Sequence, residues 1–88
     1  MVRIILPSVW TQDGRTDFDT DEGPLHDVIR RFAADHPDYR HRLLTPDGEP
    51  LSYINICVDD DLVPRHRRQN TRVPADSTVT IIAPMAGG

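Results

Sequence analysis

One segment of this 88-residue chain has the spacing of an amphipathic helix, and strand-like segments lie on both sides of it. Its apolar residues recur every three or four positions, which is typical of a helix that packs one face on a core. These residues are Leu25, Val28, Ile29, Phe32 and Ala33. Pro24 suits the first helical turn, where no N–H donor is needed, and Pro37 prevents continuation. The sequence therefore predicts a helix over residues 24–35.

Alternating apolar residues predict a β-hairpin before this helix. The first strand is predicted over residues 2–10, with Val2, Ile4 and Leu6 facing the core and with Ile5 and Pro7 on the other face. Asp13-Gly14 is a strong turn signal. The chain then returns as a second strand over residues 16–20, anchored by Phe18.

The second half of the chain is predicted to supply three more strands. They cover residues 53–58, 62–63 and 77–83, and in the last of them Val79 and Ile81 face the core and Ile82 the opposite side. Residues 38–42 are expected to be irregular, with Leu43-Leu44 under the core. The connection 64–74 is long and polar, so it is a candidate functional or mobile loop. Its arginines are Arg65, Arg67, Arg68 and Arg72. They could bind a phosphate or an acidic surface of a partner, but a solvated loop whose positive charge offsets the negative charge of the acidic run 59–61 is favoured.

The element order is strand, strand, helix, strand, short strand, strand. With the right-handed crossover expected for such a helix, the first and last strands lie parallel in the middle of a mixed sheet. The predicted fold class is therefore α+β, a β-grasp (ubiquitin-like) domain. It has a mixed four- to five-stranded sheet with one helix packed on one face, and residues 1–88 form a single domain.

Composition narrows the classes of function. The net charge of −4 argues against a nucleic-acid partner, and no apolar run reaches membrane-spanning length. The apolar start of the chain is too short for a signal peptide, so a cytoplasmic protein is expected. Cys57 is the single cysteine, which excludes an internal disulfide, and the four histidines show no metal-ligand spacing. No metal site is therefore predicted.

The chain ends in a diglycine, Gly87-Gly88, directly after the last predicted strand. Glycine keeps the backbone thin and leaves the terminal carboxylate sterically open. A flexible tail over residues 84–88 suits a carboxylate that must enter the active site of another protein. The alternative is an ordinary frayed terminus.

These segments together resemble the ubiquitin-like sulfur carriers of the ThiS and MoaD family, and among them the CysO-type carriers. The resemblance rests on the N-terminal strand, the helix closing on His36-Pro37, the strand 54–58 with its acidic run, and above all the ending 75–88. Two features depart from the family pattern. Ala75 stands where glycine is frequent, and the segment 64–74 is unusually basic.

The resemblance implies a carrier rather than a self-sufficient enzyme. An E1-like activating enzyme (MoeB/ThiF-like) would use ATP with Mg to adenylate the carboxylate of Gly88. A sulfur donor would then convert it to a thiocarboxylate, and a biosynthetic acceptor enzyme would take the sulfur. Gly87 would pass the narrow entrance of the partner, and Ala86, Met85 and Pro84 would form the stalk. The free carrier would be a monomer without a bound cofactor.

The sheet face opposite the helix is the predicted docking face. Ile5, Pro7, Cys57 and Ile82 should lie there, and the resemblance places Ile5, Pro7 and Ile82 where carriers meet the activating enzyme. Cys57 is interpreted as a packing cysteine, and Trp10 as either an interface anchor or a packing residue.

Three alternatives stay open at this point. The first is a protein modifier joined to lysine through Gly88. The second is a MoaD-like small subunit of molybdopterin synthase, and the third is an interaction module whose tail docks without chemistry. Within the carrier interpretation, the acceptor could serve cysteine, molybdopterin, thiamin or secondary-metabolite synthesis.

Overall fold

The fold was analysed in a computed structural model that describes residues 1–11 and 13–83. Its main helix, α1, covers Leu25–Asp35, and a second short helix, α2, covers Arg40–Leu43. The strands are β1 (Val2–Ile5), β2 (Asp17–Thr20), β3 (Gly23–Pro24), β4 (Asn55–Val58), β5 (Asp61–Leu62), β6 (Arg72–Val73) and β7 (Thr78–Ile82). Three 3₁₀ helices occupy Ser8–Trp10, Pro37–Tyr39 and Arg65–Asn70.

Five of the strands form one mixed sheet in the order β2-β1-β7-β4-β5. Strands β1 and β7 run parallel in its interior, and the other neighbours are antiparallel. The two remaining strands, β3 and β6, form a separate two-stranded sheet. The predicted β-grasp fold is confirmed, including the hairpin and the parallel pairing of the first and last strands of the main sheet.

The core lies between α1 and one face of the sheet. All five residues of the helical stripe are buried, and so are the inward residues of the central strands, such as Ile4, Ile56 and Ile81. Burial of one such side chain stabilises the fold by about 1.5–3 kcal/mol. Phe18 of β2 meets Phe32 of α1 edge to face, with ring centroids 5.3 Å apart. Leu43 and Leu44 are buried as predicted.

Several predicted element bounds were wrong. The first strand ends at Ile5 rather than at residue 10, because Pro7 has no N–H to donate and the chain turns into the 3₁₀ helix Ser8–Trp10. Residues 38–42 are not irregular, since they belong to the 3₁₀ helix Pro37–Tyr39 and to α2. The predicted strand 53–58 begins at Asn55, and the short strand is Asp61–Leu62.

The segment 64–74 is also more ordered than a solvated loop. It contains the 3₁₀ helix Arg65–Asn70 and strand β6, which follow the α1 side of the fold. Arg68 is only 4% exposed, and it donates hydrogen bonds to the backbone oxygens of Leu51 (3.2 Å) and Ile54 (2.5 Å). The interpretation of all four arginines as solvated was therefore wrong for Arg68, because carbonyls of a distant loop provide its partners.

Candidate docking face beside the last strand

The sheet face that points away from α1 carries the side chains that alternate with the core residues. One row crosses all five strands in register, and it consists of Asp17, Ile5, Thr80, Cys57 and Leu62. In this row Leu62 is 58% exposed, and Ile5, Thr80 and Cys57 are half-buried. This face is therefore available to a partner.

This face is polar where β7 begins and apolar where β7 ends. At the start of β7, Arg3 is in register with both Asp19 and Thr78. At the end of β7, Ile82 is in register with Asn55 and is 44% exposed. The apolar end of the face is thus the end from which the C-terminal tail departs.

Three of the predicted docking residues lie together at this apolar end. Ile5, Pro7 and Ile82 line one open depression of about 800 Å³. Val9, 82% exposed on the 3₁₀ helix Ser8–Trp10, adds another apolar side chain to it. Cys57 shares the face, but it is half-buried one strand away and does not line the depression.

Sequence reasoning named only Trp10 in one further part of this surface, a rim of aromatic and basic side chains. We define the exit rim as Trp10, His41, Arg42 and Tyr53, which together with Ala83 line a neighbouring depression of about 390 Å³. The guanidinium of Arg42 lies 5.6 Å from the centre of the Trp10 ring, a cation–π contact. The basic run 40–42 was the available signal, but its position became clear only when α2 placed it beside β7.

The resolved pKa shifts lie on the helix side of the fold rather than on this face. Burial, and after it the charge of Arg30, lowers the pKa of His26. Burial, and after it the charge of Arg65, lowers the pKa of Arg68. Both residues belong to the packing around α1, so neither is a candidate for chemistry at the docking face.

Residues 1–11 and 13–83 contain neither a candidate metal site nor a candidate membrane span. No group of three or more His, Cys, Asp or Glu side chains there is placed to hold a metal ion. No helix in that part of the chain has both the length and the apolar character needed to span a membrane. The predicted tail residues Gly88, Gly87, Ala86, Met85 and Pro84 lie outside the described residues.

The β-grasp sheet with one uncovered face and a diglycine ending defines the class of ubiquitin-like proteins. Within that class the chain belongs to the ThiS family, whose model matches residues 8–88. This confirms the resemblance to ubiquitin-like sulfur carriers. No curated protein matches the sequence significantly.

Solved structures agree with this fold. A chain in the Amycolatopsis orientalis BexX/CysO complex is similar at a TM-score of 0.80 and 22% identity, with 100% of both chains covered. Mycobacterium tuberculosis CysO, an antigen, is similar at 0.78 and 22%, with 97% of this chain and 100% of that chain covered. Small archaeal modifier protein 1 from Haloferax volcanii is similar at 0.74 and 17%, with coverage of 96% and 97%. At these identities the likeness shows the fold alone.

Proposed function

We propose that this chain is a cytoplasmic sulfur carrier whose terminal Gly88 alternates between a carboxylate and a thiocarboxylate. The observation that carries the proposal is the ThiS-family match over residues 8–88, which includes the diglycine ending. The structure supports it because the last described strand, β7, ends beside an open apolar depression. The carrier itself performs no catalysis.

The chemistry requires activation, because a carboxylate is a poor electrophile. An E1-like enzyme with ATP and Mg transfers AMP to the Gly88 carboxylate and releases pyrophosphate. A sulfur nucleophile at the sulfide level, such as hydrosulfide, then attacks the acyl carbon. The bond from this carbon to the bridging oxygen of AMP breaks, AMP leaves with that oxygen and the bonding electron pair, and the S–H proton passes to solvent. The product is a thiocarboxylate, a tethered nucleophile that an acceptor enzyme consumes at high effective concentration. A terminal residue without a Cβ leaves the acyl carbon accessible to both attacks.

Docking on the apolar end of the sheet face would deliver this tail. Ile5, Pro7 and Ile82 form the contact surface for the activating enzyme in this proposal, with Cys57 at its margin. The apolar side chains surround a depression that a protruding side chain of the partner can fill, which is the typical arrangement of an interface anchor.

Intact-mass analysis tests the proposal directly. The carrier is incubated with its cognate activating enzyme, ATP, Mg and a sulfide source, and we expect a mass gain that corresponds to replacement of one oxygen by sulfur at Gly88. The Cys57→Ser variant should show the same gain, since addition of one oxygen to the only thiol would otherwise give almost the same mass. Absence of the gain, or its loss in Cys57→Ser, would overturn the proposal.

A protein modifier is the second candidate, favoured by the name of a structurally similar archaeal protein, small archaeal modifier protein 1. The ten basic residues counted as Lys+Arg in this chain are all arginines, so the chain has no lysine. Lysine-linked polymers of the carrier are therefore impossible, and each modified lysine would carry a single copy. Conjugates that survive denaturing, reducing electrophoresis and carry one copy at each site would support this function. If no such conjugates form while the carrier still forms the thiocarboxylate, the modifier function is rejected.

A further inference from the structure

The exit rim is a basic and aromatic surface on a chain that is acidic as a whole. The net charge is −4, yet Arg40, His41 and Arg42 follow one another at α2. Two of these three residues line the depression around Ala83, next to the end of β7. A partner that covers the end of β7 would therefore lie beside this rim.

Arg42 is the residue of the exit rim whose N–H donors are available to a partner. Its guanidinium lies over the Trp10 ring, and among the described residues it forms neither an ion pair nor a hydrogen bond with a side chain or backbone oxygen. Its neighbour Arg40 instead donates to the backbone oxygen of Pro46 at 3.4 Å. Asp13 and Asp38 line a further depression with Arg42, and neither lies within salt-bridge distance of it.

The exit rim is continuous with the docking face. Trp10, Arg42 and Ala83 also line the larger depression that contains Ile5, Pro7 and Ile82. A protein that covers the apolar side chains therefore also reaches the guanidinium. The planar fork of an arginine matches a carboxylate in two parallel hydrogen bonds, and this geometry gives specificity as well as affinity.

We infer that Arg42, held by Trp10 in the exit rim, pairs with a carboxylate on the activating enzyme and helps to determine which activating enzyme accepts this carrier. This inference rests on the proposed function. Arg42 is the specificity-determining contact, and Trp10 is a positioning residue that limits the directions in which the guanidinium points. The acidic partner surface would lie next to the opening through which the tail enters.

The test is the steady-state rate of ATP–pyrophosphate exchange by the cognate activating enzyme at varied carrier concentration. Charge reversal in Arg42→Glu should lower kcat/KM by about tenfold or more at low salt, while kcat at saturating carrier stays within about twofold, because a rim charge acts on encounter and binding. The neutral Arg42→Gln should weaken the dependence of kcat/KM on salt concentration.

Arg67→Glu is the matched control. Arg67 is exposed on the 3₁₀ helix Arg65–Asn70, which packs near α1, and its replacement changes the net charge equally. It should leave kcat/KM within about twofold of the original chain. Lysine is avoided at position 42, because it would introduce the first side-chain amine into a chain with an activated acyl group.

A second measurement detects binding of the activating enzyme at the exit rim. Trp10 is the only tryptophan, so a carrier labelled with 5-fluorotryptophan gives one ¹⁹F resonance from this site. Addition of the activating enzyme should shift or broaden it in the original chain, and a higher enzyme concentration should be needed in Arg42→Glu. Equal kinetics for Arg42→Glu and Arg67→Glu, or an unmoved resonance while exchange proceeds, overturns this inference alone. No exchange with the original chain overturns the proposed function and this inference with it.

Discussion

Replacement of the buried Arg68 by methionine should destabilise the fold substantially, although the site lies away from the docking face. Arg68 connects the 3₁₀ helix Arg65–Asn70 to the loop before β4 through hydrogen bonds to the backbone oxygens of Leu51 and Ile54. Methionine fills a similar volume but donates nothing. Arg68→Met therefore removes two charge-assisted hydrogen bonds and keeps most of the apolar contact.

The expected magnitude follows from two opposing terms. A hydrogen bond to a charged group contributes roughly 1.5–3 kcal/mol, so two of them give about 3–6 kcal/mol. Against this stands the cost of burying the guanidinium, which also lowers the pKa of Arg68, and methionine relieves that cost. We expect a net loss of about 2–4 kcal/mol in the free energy of unfolding, out of a total of about 5–15 kcal/mol.

Urea unfolding followed by far-ultraviolet circular dichroism measures this loss. With a slope of about 1 kcal/mol per molar urea for a small domain, the midpoint should fall by roughly 2–4 M. Arg67→Met is the matched control, because Arg67 is the exposed neighbour on the same 3₁₀ helix, and it should change stability by no more than about 0.5 kcal/mol. Equal midpoints for the two variants would refute the assignment of Arg68 as a structural link.

Three other predictions concern the docking face, the tail and pH. Ile82→Glu should lower kcat/KM for activation by about tenfold or more with little change in the urea midpoint, whereas Leu62→Glu, at the far edge of the same face, should leave kcat/KM nearly unchanged. Deletion of Gly87-Gly88 should abolish pyrophosphate exchange and leave the urea midpoint unchanged; retained exchange would place the chemistry elsewhere. Burial lowers the pKa of His26 below 6.5 in the folded state, so the unfolded chain binds the proton more readily and stability should fall as pH decreases through 6.5. His26→Gln should reduce this slope in unfolding free energy between pH 7 and 5, and an unchanged slope would contradict the assignment.

The periodic elements could be predicted from the sequence because their patterns are set by local geometry. The alternation in β1 identified Val2, Ile4 and Leu6 as core residues, and the stripe identified all the buried positions of α1. Both patterns arise from the direction in which consecutive side chains point, so they need no knowledge of partners. The candidate docking residues Ile5 and Ile82 follow from the same alternation, because they occupy the alternate positions, which point to the other face.

The missed features depend on contacts between distant segments. Helix α2, four residues long, is too short to show a helical period. The pairing of β3 with β6 involves two residues on each side, Gly23 with Val73 and Pro24 with Arg72, and it leaves no local pattern. A run of arginines predicts solvent-exposed side chains unless hydrogen-bond acceptors for them are known. The acceptors of Arg68 lie more than ten residues away in sequence, so the run itself does not indicate them.

In the proposed function, the position of β7 links docking to the delivery of the tail. Because β7 is hydrogen-bonded to β1 on one side and to β4 on the other, its end is held in place relative to the whole sheet. Ile82 lies on this strand and on the candidate docking face, so in the proposed function one strand would both contact the partner and begin the tail. Gly88 follows six residues later, and a fully extended chain spans at most about 3.3–3.6 Å per residue. The carboxylate can therefore reach no farther than roughly 20 Å from the Ile82 contact. An activating enzyme that binds this face must place its ATP site within that radius. The length of the tail therefore limits the distance between the surface of the enzyme that binds the carrier and its ATP site.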